Sequence, residues 1–364
     1  MSRIQGLVFY LAFTGSVASQ LPSQSQSVAP PTASSGAPTV APQSTLPFPA
    51  QLKKTVVFIE ADCQPTPLEL AQLPSDDLAK WFLHKESEMR PESVKKVKHP
   101  HSGTGFIVAM HDDRVPQNTK FMYLVTNRHV AQPGIEDGSP CQVFNYMLEV
   151  NKREATPGTN SRLELINLGS EVSWIYPQDD SVDLAVVPLV LGENMDYLAI
   201  QPEQFATDEM VSNHEIVEGE PVIFAGLFVQ FPGISHLEPI VRSGSLAMLP
   251  SDPVGTTLKK LGHAYFADTF TFGGNSGSPL LVDIQRFKDN SRYDYRLLGV
   301  VSGFVNESND FTLQVTTDYS GTVKENSGIC IIVPAAELRK VLYSPELTRK
   351  REEAIAHILQ NPKK

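Results

Sequence analysis

The chain has 364 residues, 41% of them hydrophobic, which is enough for one large or two modest domains with a sizeable core. Its 30 basic and 41 acidic residues leave a net charge of −11, and no basic stripe interleaves with aromatics, which argues against a nucleic acid partner. The three cysteines, Cys63, Cys141 and Cys330, allow one disulfide by any of three pairings, and no Cys/His cluster has zinc spacing, so neither a metal nor another cofactor is expected.

The first residues read as an export signal. Arg3 supplies a positive start, Ile4 to Val17 is largely apolar, and Val17-Ala18-Ser19 offers small residues for cleavage. The apolar run is short for a membrane span, so a signal peptide over residues 1–19 is expected rather than an anchor. Residues 20–50 hold seven prolines, many Ser, Thr, Gln and Ala, and no charge. Such a composition buries too little apolar surface to offset ordering entropy, and we expect a disordered tether leading to a periplasmic, cell-surface or secreted domain.

Thr55 to Glu60 gives the first strand signal. Pro74 to Val97 then reads as a helical insertion, capped by Ser75-Asp76-Asp77 and broken at Pro91. Ser102 to Ala109 and Tyr123 to Val130 form a hairpin across a polar loop from Met110 to Lys120, and place His129 at a strand end. Histidine titrates near neutrality, which suits a general base. Other histidines, such as His99, His101 and His111, read as solvated loop residues.

Asp183 stands at the mouth of the continuous apolar run Leu184 to Leu189, which suggests a strand buried on both faces. A carboxylate there can accept from the second ring nitrogen of a histidine and fix its tautomer. Asp179 and Asp180 read as solvated turn acids. Further on, Gly274-Asn275-Ser276-Gly277-Ser278-Pro279 wraps a serine in glycines. By itself this marks a tight turn. Beside a base it also marks a nucleophile, because the glycines let the backbone aim N–H groups at one point.

The order His129, Asp183, Ser276 is that of the chymotrypsin arrangement. With Thr126-Asn127-Arg128-His129-Val130, Asp183-Leu184-Ala185-Val186-Val187 and the serine turn, the chain resembles the trypsin-like serine proteases over roughly residues 55–336. It is most similar to bacterial trypsin-like peptidases and the high-temperature-requirement group, with Ser278 where that family more often has glycine. The resemblance implies an all-β fold of two six-stranded antiparallel barrels within residues 51–342, dividing near 189–204, with the triad in the crevice between them. Glu218 to Gly226, Ile240 to Ala247, Leu297 to Phe304 and Ser327 to Pro334 correspond to strands of the second barrel. A terminal helix over Ala335 to Leu342 and an extension over 343–364, helical from Leu347 to Leu359, complete it. No stretch is left for a PDZ module.

The implied chemistry is peptide bond hydrolysis through an acyl-enzyme on Ser276, with an oxyanion hole formed by the N–H groups of Gly274 and Ser276. A polypeptide is the implied partner, with no membrane span in the mature chain; the oligomeric state is left open. The first specificity pocket would have Phe270 at its base with Thr271 beside it, and walls from Ser302, Gly303, Phe304 and near Gly328. With no acid at Phe270, a small or medium aliphatic side chain fits better than Lys or Arg. Asn275 replaces the aspartate that pairs with a new N-terminus in zymogen-type relatives, so activation by cleavage is not expected. A non-catalytic binding protein on the same fold is the alternative; it would lack a triad member, and none is missing.

Overall fold

A computed structural model describes residues 46–360, apart from 84, 98, 156–157, 170–171, 285–293 and 315–317. The expected signal and most of the expected tether lie outside the described residues. The first element, α1 (Phe48–Thr55), begins inside the span read as tether. It is ordered by what it buries: Leu52 is 2% exposed, and Phe48 stacks on Tyr295 with ring centroids 3.8 Å apart. Full burial of each such side chain contributes about 1.5–3 kcal/mol.

Strand β1 (Val56–Cys63) follows, then the helical insertion. It comprises α2 (Pro67–Ala71), α3 (Ser75–Phe82) and α4 (Pro91–Val97). The helix stops at Phe82 rather than at Pro91, and Pro91 instead opens α4, since proline pre-sets a first helical turn. The expected cap is not: Pro74 is the N-cap residue and makes no side-chain cap. Asp77 instead turns inward and accepts from Arg90 Nε and Ser93 Oγ, which keeps a fully buried carboxylate solvated by protein. Leu73, Met89 and Val97 form a small local core, and Trp81 packs edge-on to Phe144, so the insertion is anchored as a decoration on the sheet.

The chain continues through β2 (His99–Met110), β3 (Phe121–Thr126), the single turn α5 (Arg128–Ala131), β4 (Val143–Asn151), β5 (Leu163–Asn167) and β6 (Ala185–Pro188). His99 and His101 therefore lie on a strand rather than in a loop. These strands make one antiparallel sheet in the order β5-β4-β1-β2-β3-β6. Phe106, Val108 and Met110 face one core while Ile107 and Ala109 face another, which is why β2 is apolar without alternation. A disulfide between Cys63 and Cys141 ties the end of β1 to the segment before β4, and Cys330 is free and buried.

The chain crosses to its second half between Ile200, which bridges Val108, and Phe205, which bridges Leu297. After α6 (Asp208–Ser212) come β7 (Pro221–Gly226), β8 (Ile240–Met248), the short ribbon of β9 (Val254–Gly255) and β10 (Leu261–Gly262), then β11 (Tyr265–Asp268), β12 (Pro279–Asp283), β13 (Tyr295–Gln314) and β14 (Asp318–Pro334). Six of them close a barrel in the order β11-β14-β13-β12-β7-β8. The N-terminal half is thus a six-stranded sheet and the C-terminal half a closed six-stranded barrel. Helices α7 (Ala335–Leu342) and α8 (Pro345–Gln360) follow, and Leu338, Leu342 and Leu347 join the apolar layer between the halves. Among the described residues no helix is long and apolar enough to cross a membrane.

Candidate active site

His129 sits in the one-turn helix that ends β3, and Asp183 lies just ahead of β6, the strand paired with β3. The pairing of β3 with β6 brings the two together. Asp183 Oδ2 accepts from His129 Nδ1 at 2.7 Å, and Asp183 Oδ1 accepts the His129 backbone N–H at 3.0 Å. Asn127 Nδ2 donates to the Asp183 carbonyl at 2.8 Å, which fixes the acid's backbone as well. An ionised carboxylate only accepts, so the ring proton lies on Nδ1 and the Nε2 lone pair is free. Burial depresses the His129 pKa, but the Asp183 charge and hydrogen bond, with Glu136 beyond, outweigh it and leave it above the ordinary value. Burial likewise opposes ionisation of Asp183, and the charge and hydrogen bonds of His129, with a bond from Ser302, hold its pKa below the ordinary value.

Ser276 lies in the turn between β11 and β12. Gly274 and Gly277 adopt φ of +95° and +89°, values that favour glycine. A Cβ on Gly277 would collide with the Thr104 carbonyl oxygen and Thr126 Oγ1. Asn275 braces the turn: its Oδ1 accepts from Phe272 N–H at 2.9 Å and its Nδ2 donates to Leu227 O at 2.7 Å. Ser276 Oγ donates to Ser302 O at 3.2 Å, and among the described residues it makes no hydrogen bond to His129. Ser302 is the common link. Its carbonyl holds the serine, and its own hydroxyl donates to Asp183 Oδ2 at 2.6 Å. The N–H groups of Gly274 and Ser276 donate to no acceptor among the described residues, whereas the Gly277 N–H is used on Val301 O.

Sequence reasoning missed Thr104, a β2 residue that seats this turn. Its N–H donates to Ser276 O at 2.8 Å, and its hydroxyl donates to Gly274 O at 2.7 Å while accepting from Leu227 N–H at 2.8 Å. The available signal was its place between Gly103 and Gly105. A Cβ on Gly103 would press on Val130, and one on Gly105 on Ile59 and Leu124.

The residues proposed for the specificity pocket divide. Phe270 is 51% exposed and so is not core, and its ring edge lies 3.4 Å from where a Cβ on Gly328 would stand. Gly328 takes φ +83° and accepts from Thr269 N–H. Thr271 is buried and reaches Gly303 O at 3.4 Å, and its carbonyl accepts from Asn326 Nδ2. Phe304 pairs with Cys330 on β14. Ser302 turns its hydroxyl to Asp183, a fully buried carboxylate that needs the donor, while its backbone carbonyl faces Ser276. Ser278 is also fully buried, and its Oγ has no partner among the described residues.

Similarity to known proteins follows the same lines. No curated protein matches the chain. Among solved structures it is similar to Deg5, at 15% identity over 70% of this chain and 81% of that one, with a TM-score of 0.37. It is similar to the HtrA-type protease AlgW with a decapeptide, at 13% identity over 83% and 73%, TM-score 0.40. The Rv3671c protease in an inactive form gives 15% over 80% and 89%, TM-score 0.36. The family model for the trypsin-like peptidase domain matches residues 103–287, half of the chain, from the glycine beside Thr104 through the serine turn and past β12. This chain belongs to the trypsin-like peptidase domain family.

Proposed function

We propose that the protein is an exported serine endopeptidase acting through His129, Asp183 and Ser276. The observation that carries the reading is the 2.7 Å bond from His129 Nδ1 to Asp183, which leaves Nε2 as an acceptor, with Ser302 bonded to both Asp183 and Ser276. In the reaction the Ser276 hydroxyl turns from Ser302 O to His129 Nε2 and gives up its proton. The oxygen attacks the substrate carbonyl carbon, and the negative oxygen is met by the N–H groups of Gly274 and Ser276. The imidazolium, held by Asp183, protonates the departing amine as the C–N bond breaks. A water activated by the same nitrogen then releases the acyl group.

The exposed ring of Phe270 beside Gly328 supports a shallow apolar pocket that takes small or medium aliphatic side chains. Export is supported by the N-terminal sequence and by the Cys63–Cys141 disulfide, which persists in oxidising compartments. The test is labelling by a fluorophosphonate, which should modify the native chain and spare Ser276→Ala. Equal labelling of the two would reject Ser276 as the nucleophile. Cleavage-site profiling on a denatured protein should show aliphatic residues before the scissile bond, and a dominant Lys or Arg preference would reject the pocket.

A further inference from the structure

The ribbon of β9 and β10 is an arm of the second half that reaches the first. Its turn carries Lys259 in the left-handed region, φ +58°. Lys259 pairs with Asp137 at 2.5 Å, and Lys260 pairs with Asp180, both acids of the N-terminal half. At its base Gly262 lies against Ser181, so close that a Cβ would strike the Ser181 hydroxyl. Ser181 is two residues from Asp183. At the arm's tip Thr257 Oγ1 stands 2.7 Å from Ser302 Oγ, and its methyl lies 3.4 Å from where a Cβ on Gly303 would be.

Proton bookkeeping orients these bonds. Ser302 has one hydroxyl hydrogen, and the Asp183 carboxylate can only accept, so that hydrogen goes to Asp183. The remaining 2.7 Å bond is then a donation from Thr257 to Ser302. We infer that Thr257 is a positioning residue, the outer donor of a chain Thr257 → Ser302 → Asp183 ← His129, delivered across the two halves by the lysine-tipped arm. Donation into Ser302 polarises its hydroxyl and strengthens its bond to Asp183. Besides Asp183, Glu136 is the charged group acting on His129 among the described residues, and the arm's two lysines are already paired.

The inference rests on the peptidase reading above. The test compares Thr257→Val, which keeps the methyl over Gly303, with Thr257→Ser, which keeps the donor. Loss of the donor leaves more charge on Asp183, favours the imidazolium, and moves the acid limb of kcat/KM to higher pH. The valine variant should lose about fivefold in kcat, the equivalent of one net hydrogen bond, with KM held. The serine variant should restore both kcat and the limb. A valine variant whose pH profile overlays the parent, or a serine variant as impaired as valine, would overturn the role of Thr257. Those outcomes leave the peptidase reading standing, whereas full activity in Ser276→Ala removes that reading itself.

Discussion

The Ser276 hydroxyl donates to the Ser302 carbonyl oxygen at 3.2 Å, while the Ser302 hydroxyl donates to Asp183 at 2.6 Å. One residue therefore holds the proposed nucleophile with its backbone and the proposed orienting acid with its side chain. Ser302→Ala separates the two roles, because it keeps the carbonyl and deletes the donor. Leaving a buried carboxylate one donor short should cost about 1–3 kcal/mol of stability. Turnover should fall by about tenfold, the kinetic equivalent of roughly 1.4 kcal/mol. Thermal unfolding and kcat/KM check this, and an unchanged pair of values would show that the Ser302 hydroxyl is idle.

The pH dependence follows from His129. Its pKa is held above the ordinary 6.5, since burial is outweighed by the Asp183 charge and hydrogen bond. A general base must be neutral, so kcat/KM should rise with pH through a midpoint above 6.5. The stability sign is opposite. A raised histidine contributes fully below its unfolded pKa and loses that contribution as pH rises through the folded value. Asp183, depressed from 3.8, contributes above that value and loses it as pH falls through its folded pKa. The pair should therefore stabilise most between about 3.8 and 6.5, with activity appearing above that window. An acid limb at or below 6.5 would contradict the geometry at Asp183.

Thr104 offers a cleaner test of how the halves meet. Its hydroxyl bridges Gly274 O and Leu227 N–H, both in the second half, from a strand of the first. Thr104→Val keeps the shape and strands both groups in a buried site, at about 1–3 kcal/mol for each. The expected result is a large loss of stability together with loss of fluorophosphonate labelling, because the serine turn is no longer seated. Retained labelling at native stability would show the bridge to be dispensable.

What the sequence carried and what it hid have physical reasons. His129, Asp183 and Ser276 were legible because each lies where a local pattern changes: a strand end, the start of an apolar run, a glycine-flanked turn. The strands that carry them were legible from continuous apolar runs. Thr104 and Thr257 were not, since a threonine within a strand or turn has no local signature of a partner 123 or 45 residues away. The outward continuation of β13 and β14 was also missed. Their inner segments read as strands, whereas residues 306–314 pair with 318–326 in a two-stranded ribbon that, among the described residues, no other strand joins. The three cysteines left the pairing open, because proximity of Cys63 to Cys141 depends on the register of β1 against β4.

Asn275 bears on activation. Both ends of its amide are engaged, the oxygen accepting from Phe272 and the nitrogen donating to Leu227, and the residue is 1% exposed. The turn is thus braced from within and does not call for a newly cut amine. Chains started at several points before Leu46 should have equal kcat/KM, since α1 and its Phe48–Tyr295 stack are kept. Activity confined to one new terminus would refute this. Asn275→Asp should lose the donor to Leu227 O and place a carboxylate against that carbonyl, lowering both stability and labelling.

The disulfide gives the last test. Cys63 and Cys141 are 78 residues apart, and loop-closure entropy assigns a cross-link of that span about 4.5 kcal/mol as an upper figure, with about 2–4 kcal/mol typical. Cys63→Ser with Cys141→Ser should lower unfolding free energy by about 2–4 kcal/mol. It should also loosen the segment between His129 and Cys141, which holds Asp137, the partner of Lys259. Cys330 is the internal control. It is fully buried, and burial pushes its thiol up to about 12, so a thiol reagent at neutral pH should not modify it in the folded protein. Thiol titration should find no reactive group in the native chain, one after denaturation and three after denaturation with reductant. Three thiols without reductant would show that Cys63 and Cys141 are not bonded in the isolated protein, and the stability of the double variant would then match the parent.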